Sequence, residues 1–231
     1  MTKTQRMALV LAATAVAAGL AAEGAAAATL VAAYKFKNSL SSSVGSAPDI
    51  KNIGPGKTAF VTENVRGSSK RVLAFPQDNG LKLATRRLIP SRGAYSVRIL
   101  FRFTTVAGYE RILDARGGTS DNGLYDHSGA LDFYDAGDNE GPGTPLADRT
   151  YAKVAFTRNA SKRVTGYVNG HRQFRYHDSS GQATLRGGPL IFFRDNLSGG
   201  TTGENSAGAV SRIRVYRGAL TAAQVSKATA R

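Results

Sequence analysis

"YSVRILFRF", residues 95–103, is the stretch that decides the fold. Apolar side chains occupy every odd position, and polar side chains, among them Arg98 and Arg102, occupy the even positions, with Leu100 as the exception. A period of two over this length predicts a β-strand with one face on a core and the other in water. Arg98 and Arg102 are then neighbours on the open face.

A second stretch, "VTGYVNGHRQFRYH" at residues 164–177, predicts a β-hairpin. Asn169 and Gly170 can both take positive φ, as a two-residue type I′ turn requires. Strict alternation along the second strand divides its side chains between two faces. One face carries His171, Gln173 and Arg175, and the other carries Arg172, Phe174 and Tyr176.

The rest of the chain has the same all-β pattern. Further strands are predicted at residues 31–36, 71–75, 111–115, 130–134, 153–157, 190–193 and 213–216. Gly, Ser, Asp and Pro separate them at roughly ten-residue intervals, which is typical of a sandwich. Only the tail "LTAAQVSKATA" predicts a helix, with Thr221 as its N-cap. We therefore expect an antiparallel two-sheet sandwich that ends in a short helix.

The first residues have the pattern of a secretory signal peptide. Lys3 and Arg6 precede an apolar run, and an A-x-A pattern ends at Ala28. We therefore assign residues 1–28 to the signal peptide and residues 29–231 to a single domain, in which no later segment is long and apolar enough to cross a membrane. The chain has no Cys, which excludes disulfides and thiolate metal sites.

The chain carries a formal net charge of +15. In an exported protein this charge favours acidic polysaccharides, teichoic-type polymers or anionic membrane surfaces as partners, and no nucleic acid is expected. Solubility alone is the alternative explanation. The expected partner is thus a glycan or a polyanionic surface polymer.

Three segments resemble laminin-G-like jelly rolls of the concanavalin A-like lectin/glucanase superfamily. They are "YAKVAFTRNASKRVTGYVNGHRQF" (151–174), "AGAVSRIRVYRGALTAAQV" (207–225) and "YKFKNSLSSSVG" (34–45). The resemblance implies an all-β, two-sheet antiparallel jelly-roll sandwich with a short C-terminal helix, a fold often used outside the cell to bind glycans or proteins. The fold hosts lectins, glycosidases and lyases alike, so the activity has to be inferred from a site.

Catalytic motifs are sparse. The β-glucanases of the superfamily carry alternating acids, E-x-D-x-E, on one strand; this chain has only Asp138 and Glu140 at such a spacing, in a Gly-rich stretch. No G-x-S-x-G motif is present. Lyases of related sandwich folds use Tyr or His bases beside Arg or Gln, and "HRQFRYH", residues 171–177, contains these residue types. A polysaccharide lyase or glycoside hydrolase therefore stays an alternative.

The predicted ligand-binding residues are Tyr125 and Tyr134, as aromatic platforms, with Arg172 and Arg175 for acidic groups. Sugar sites usually need an aromatic ring, and the chain has no Trp.

The loop between the last two predicted strands contains Asp195, Asn196 and Glu204, whose oxygens suit Ca²⁺. In the resembling family the closing strand often carries an Asp where this chain has Ser211. That departure favours a plain connector over a cation site. The open question is whether Asp195 and Glu204 come within reach of one cation.

The sequence as a whole predicts a secreted, non-catalytic jelly-roll module that binds carbohydrate or an acidic cell-surface partner. A lyase or hydrolase of the same superfamily is one alternative, and a structural protein of the cell envelope is another.

Overall fold

The computed structural model describes residues 27–135, 139–197 and 203–227. In chain order the elements are β1 (Thr29–Tyr34), β2 (Lys51–Ile53), β3 (Ala59–Val65), β4 (Ser68–Phe75), β5 (Gly80–Leu83), β6 (Tyr95–Phe103), β7 (Tyr109–Asp114), β8 (Gly123–His127), β9 (Ala130–Tyr134), β10 (Ala152–Arg158), β11 (Arg163–Val168), β12 (His171–His177), β13 (Leu190–Phe192), β14 (Gly208–Arg217) and α1 (Ala222–Lys227). Residues 1–26, which make up most of the predicted signal peptide, lie outside the described residues, so the signal peptide stays a prediction. Asp138 also lies outside the described residues.

The strands form two antiparallel sheets, which confirms the predicted architecture. The eight-stranded sheet has the order β12-β11-β10-β6-β14-β4-β3, with β1 also paired to β14. The six-stranded sheet has the order β2-β5-β13-β7-β8-β9. No helix in the described part of the chain is long and apolar enough to cross a membrane.

Strand β6 lies in the middle of the larger sheet, as its amphipathic pattern predicts. Its odd-numbered side chains are buried in the core between the sheets. Leu100, the exception to the alternation, packs on the outer face against Val65 and Val72 of the β3–β4 hairpin. This second apolar contact explains why an apolar residue stands on the open side.

Strands β2, β3, β5 and β8 were missed by the sequence pattern. Strand β2, "KNI", is polar at two of its three positions, and β3, "AFVTENV", buries only its last residue. The other two are short: β5 has four residues, of which Lys82 is exposed, and β8 has five, among them the buried Asp126. Such strands form because neighbouring strands supply their hydrogen bonds and packing, which local propensity does not report.

The β11–β12 turn is the predicted type I′ turn, since Asn169 and Gly170 have φ values of 50° and 89°. The predicted division of faces along β12 is wrong at Arg172. On the neighbouring strand β11, Tyr167 is opposite Arg172 and Gly166 is opposite Phe174. Strand β12 therefore has one extra residue between Arg172 and Phe174, which is a β-bulge. The bulge places Arg172 on the same outer face as Arg175.

The C-terminal helix begins where the sequence predicted. The Thr221 hydroxyl accepts a hydrogen bond from the Gln224 amide (3.2 Å), and the Gln224 side chain accepts one from the Thr221 amide (2.8 Å). This reciprocal pair is a capping box, which supplies partners to amides that the first helical turn leaves free.

Phe193 joins the two sheets. It follows β13 of the six-stranded sheet and is fully buried. Its ring stacks on Phe75 at a centroid distance of 4.6 Å and lies 5.3 Å from Phe101 and 6.0 Å from Phe103. All three partners belong to β4 and β6 of the eight-stranded sheet. One aromatic side chain therefore links the layers and fixes the start of the β13–β14 loop.

We expect Phe193→Ala to lower the free energy of unfolding by about 3–5 kcal/mol, because it removes this contact and leaves a cavity. Chemical denaturation followed by circular dichroism measures the loss. The matched control is Leu197→Ala, on the same loop but with a side chain that is 37% exposed, and a change within about 0.5 kcal/mol is expected there. Equal effects of the two substitutions would contradict the assigned role of Phe193.

Candidate functional site

The β3–β4 hairpin covers part of the outer face of the eight-stranded sheet. Strand β4 pairs with β14 only at Leu73–Phe75, and β1 pairs with the next part of the same edge of β14, so the far end of the hairpin leaves the sheet. There Arg66, in the β3–β4 turn, donates a hydrogen bond of 2.7 Å to the side chain of Asn169 in the β11–β12 turn. In the order of the sheet, β11 and β4 are separated by β10, β6 and β14, a distance of about 19 Å between paired strands. The hairpin therefore crosses the outer face of the sheet to reach the β11–β12 turn.

A second contact fastens the β3–β4 hairpin over this face. Glu63 on β3 accepts hydrogen bonds from Arg102 of β6, at 2.8 and 2.6 Å, and from the Tyr151 hydroxyl at 2.9 Å. The hydrogen bonds from Arg102 lower the pKa of Glu63. Leu100 packs beneath the hairpin against its Val65 and Val72. The β3–β4 hairpin thus forms one wall of a groove.

Helix α1 forms the opposite wall. Leu220 and Val225 pack on Tyr167 and Tyr216, which point outward from the same sheet. This packing leaves the polar side chains of the helix at the rim of the groove, where Gln224 is one of the lining residues. The space between the two walls has a volume of about 860 Å³.

The groove is strongly basic. It is lined by seven cationic side chains: Arg66, Lys70, Arg98, Lys153, Arg212, Arg214 and Lys227. None of the described residues that line it is acidic. We call this concavity the basic groove.

The cations of the basic groove repel one another. Burial lowers the pKa of Lys153, and nearby positive charges, Arg66 first among them, lower it further. Burial also lowers the pKa of Arg212, as do Arg214 and Arg98. Because each shift disfavours the charged form, a bound anion would relieve repulsion that the free protein carries.

A second group of charged residues lies on loops at the six-stranded sheet. The side-chain oxygens of Asp121, Asp195 and Glu204 come within 4.8 Å of one another. We call these three residues the acidic cluster. Asp195 and Glu204 therefore lie close enough together for one cation to contact both, which was the question that the sequence left open.

Arg111 organises the acidic cluster. Its guanidinium is fully buried, donates to one Asp195 oxygen at 2.5 and 3.1 Å, and reaches Asp121 at 3.4 Å. It lies 4.1 Å from the centre of the Tyr125 ring. Gly123 makes room for it, since a Cβ at that position would overlap the guanidinium. Arg111 was not predicted as a site residue. Its only mark in the sequence is that it is the one cation of the apolar-rich strand β7, in which all residues but the first are buried.

Arg111 does not satisfy every oxygen around it. The second carboxylate oxygen of Asp195 and the amide oxygen of Asn196 are buried and accept no hydrogen bond from the described residues. Burial, Asp121 and Asp195 all raise the pKa of Glu204. Several oxygen donors with surplus negative charge suit a hard cation such as Ca²⁺, so the set predicted from sequence, Asp195, Asn196 and Glu204, fits that chemistry.

The four predicted ligand-binding residues do not converge. Tyr125 and Tyr134 belong to the six-stranded sheet, where Tyr125 is only 1% exposed and its hydroxyl donates to Asp121. Arg172 and Arg175 are exposed on β12, at the edge of the eight-stranded sheet and outside the lining of the basic groove. Their ligand roles stay predictions. Of the groove cations, only Arg98 was singled out from sequence, as an open-face residue of β6.

Two further carboxyl groups face each other inside the sandwich. Glu110 of β7 pairs with Asp126 of β8, and they are 6% and 0% exposed. Burial, then the charge of Asp126, raises the pKa of Glu110 to about 8. Burial raises the pKa of Asp126 to about 7. Because solvent hardly reaches either group, this pair cannot flank a glycosidic bond as a hydrolase requires.

The buried pair predicts a pH-dependent stability. A carboxyl group whose pKa rises on folding stabilises the protein fully below its unfolded pKa, and that contribution is lost as pH rises toward the folded value. For Glu110 the loss falls between pH 4.5 and pH 8 and is roughly 5 kcal/mol. We expect Glu110→Gln to flatten this decline in denaturation curves, and the exposed control Asp49→Asn to preserve it. If the free energy of unfolding of Glu110→Gln declines with pH as steeply as that of the native protein, the Glu110 carboxyl is ionised in the folded protein over this pH range.

The acidic cluster predicts stabilisation by Ca²⁺. We expect millimolar CaCl₂ to raise the melting temperature by about 2–4 °C over an EDTA-treated sample, because Ca²⁺ would bind only the folded cluster. The double variant Asp121→Asn/Glu204→Gln should lose the shift, whereas Asp49→Asn should keep it. Identical melting curves with Ca²⁺ and with EDTA would mean that Arg111 is the only cation the cluster needs.

Comparison with solved structures identifies the same architecture. Domain 4 of an extracellular arabinanase from Geobacillus stearothermophilus, solved with arabinotriose, superposes with a TM-score of 0.66 at 19% identity, over 87% of this chain and 98% of that one. The binding domain of Paraclostridial mosquitocidal protein 1 gives 0.63 at 13% identity, over 87% and 52%. The binding domain of botulinum neurotoxin DC, solved with SialylT, gives 0.58 at 11% identity, over 87% and 51%. Likeness at these identities establishes the fold alone.

At the level of sequence, no curated protein matches the chain significantly. Residues 75–226 match a laminin-G-like family described as concanavalin A-like lectin/glucanases. This match covers most of the chain, from β4 to α1, and includes two of the three segments that carried the resemblance. The chain therefore belongs to the concanavalin A-like lectin/glucanase superfamily, as a laminin-G-like domain.

Proposed function

We propose that the protein is a secreted, non-catalytic binding module that holds an acidic glycan, or another anionic polymer of a cell surface, in the basic groove. The observation that carries this proposal is the composition of the groove, where seven cationic side chains meet and no acidic one is found among the described lining residues. Secretion rests on the signal-peptide pattern of residues 1–28.

The shape of the groove suits a segment of a polymer. Its volume of about 860 Å³ is near the upper end of the roughly 300–1,000 Å³ that ligand pockets occupy. The sheet forms the floor of the groove, and its two walls, the β3–β4 hairpin and helix α1, would keep bulk water from the flanks of a bound chain. Charge attraction in such a partly desolvated site is stronger than on an open surface.

Carbohydrate is the favoured class of polymer. The arabinanase domain, which matches over 98% of its own length, was solved with arabinotriose, so this fold occurs with a glycan ligand in that protein. The neurotoxin binding domain, which matches over 51% of its length, was solved with SialylT. The basic groove adds a preference for acidic groups. Arg172 and Arg175, which were predicted as ligand-binding residues and lie outside the groove on β12, would extend the attraction beyond it.

Catalysis and a purely structural role are the competing functions. His171 and His177 are exposed on the edge strand β12, and neither is among the described residues that line the basic groove. Release of reducing ends or of unsaturated uronates by purified protein would contradict the non-catalytic assignment. A structural protein of the envelope would bind no soluble polymer at all.

We expect Arg98→Gln/Arg214→Gln to weaken binding of polygalacturonate oligomers by roughly ten-fold or more in low salt, since two adjacent cations of the groove are lost. Isothermal titration calorimetry measures the affinity, and circular dichroism checks folding. The control Lys35→Gln/Lys37→Gln removes the same charge from exposed positions outside the groove, so its affinity should change less than about two-fold.

The salt dependence provides the second criterion. Affinity should fall steeply between low and physiological salt for the native protein, and less steeply for the groove variant, because fewer counterions are released. Neutral dextran should not bind in the groove. Affinity that ignores salt, or no binding to any anionic polymer, would overturn the proposed function.

A further inference from the structure

The cations of the basic groove are closely spaced. Arg98 of β6 lies directly opposite Arg214 of β14. Leu100 of β6 lies between Arg212 on β14 and Lys153 on β10. Adjacent strands are about 4.8 Å apart, and residues two positions along a strand are about 6.7 Å apart. Four cationic side chains therefore rise from a patch of roughly 10 by 7 Å.

This density sets a requirement on the ligand. Positively charged neighbours lower the pKa of both Lys153 and Arg212, so the cations of the patch repel one another. A single anion would neutralise one cation and leave the others in mutual repulsion. Relief of the whole patch needs several anions within the same short length of chain.

The walls of the groove determine where those anions come from. The β3–β4 hairpin is fastened by Glu63 on one side, and Arg66 reaches across to Asn169. Helix α1 bounds the other side. A polymer confined in this way passes once through the groove and cannot fold back to present distant charges. Adjacent monomers of one chain must supply the anions.

We propose that the basic groove selects linear polyanions that carry an anionic group on every monomer over those charged only on alternate monomers. This inference rests on the proposed function and specifies its ligand class. Carboxylate and phosphate share the required chemistry, since both accept hydrogen bonds from guanidinium and ammonium groups. A uronic acid polymer and a polyol phosphate polymer are the two sources to be distinguished.

The test compares oligomers of equal length in isothermal titration calorimetry at one salt concentration. Oligogalacturonate carries a carboxylate on every sugar, and a hyaluronan oligosaccharide carries one on every second sugar. We expect the first to bind at least ten-fold more tightly. An oligomer of glycerol phosphate distinguishes the two sources. If it binds more tightly than oligogalacturonate, phosphate is the preferred group, and if it binds less tightly, carboxylate is. Either result supports the proposed selection as long as both oligomers bind more tightly than hyaluronan.

The substitution Arg98→Gln removes the centre of the patch and should reduce the preference for oligogalacturonate over hyaluronan toward one. The exposed control Lys35→Gln should retain the preference. If a hyaluronan chain twice as long, with the same total charge, binds as tightly as oligogalacturonate, affinity depends on total charge only and the inference fails while the proposed function stands. If none of the three polymers binds, both fail.

Discussion

The carboxylate of Glu63 receives hydrogen bonds from Arg102 and Tyr151, although two other strands separate its own strand β3 from β6. This contact is possible because the far end of the β3–β4 hairpin leaves the sheet and folds over its outer face: β4 pairs with β14 only at Leu73–Phe75, and β1 pairs with the next part of that edge. The same arrangement brings Arg66 to Asn169 and gives Leu100 an apolar partner on the outer face. Without it the outward-facing cations of β6, β10 and β14 would lie on an open surface, where water and salt screen them. The overlying hairpin therefore turns a charged face into a groove.

The two faces of the sandwich handle charge differently. On the eight-stranded sheet, cations point outward and accumulate without acidic neighbours in the groove lining that the structure describes. Cations that the fold buries each have a carboxylate beside them: Arg111 has Asp195, and Arg158 has Asp178 at 2.8 Å. Removing such a partner would leave a buried charge uncompensated, which costs several kcal/mol. The cations that line the groove are half-buried or exposed, and no described residue of the groove lining is acidic, which makes the groove the better candidate for recognition.

The sequence predicted the regular parts of this architecture well because they are encoded locally. Alternation marked β6, the Asn169–Gly170 pair marked a type I′ turn, and Thr221 marked the helix start. Strand β3 escaped detection because its stability comes from pairing with β4 and from packing over Leu100. The face of Arg172 was predicted wrongly, since one extra residue in a β-bulge reverses the alternation and no residue type announces it.

The candidate site, like the fold, was predicted from the sequence only where its features are local. The sequence by itself determined the all-β class, the open face of β6 with Arg98, and the oxygen-rich loop that contains Asp195, Asn196 and Glu204. Only the tertiary structure decided that Arg98 joins cations from four other strands and turns, and that Asp121 and Arg111 complete the acidic cluster. The physical reason is that alternation and turn preference act between neighbours in the chain, whereas convergence depends on strand order. Residues as far apart as Arg66 and Asn169 meet because β1 and β4 share one edge of β14, so the far end of the β3–β4 hairpin leaves the sheet and crosses its outer face.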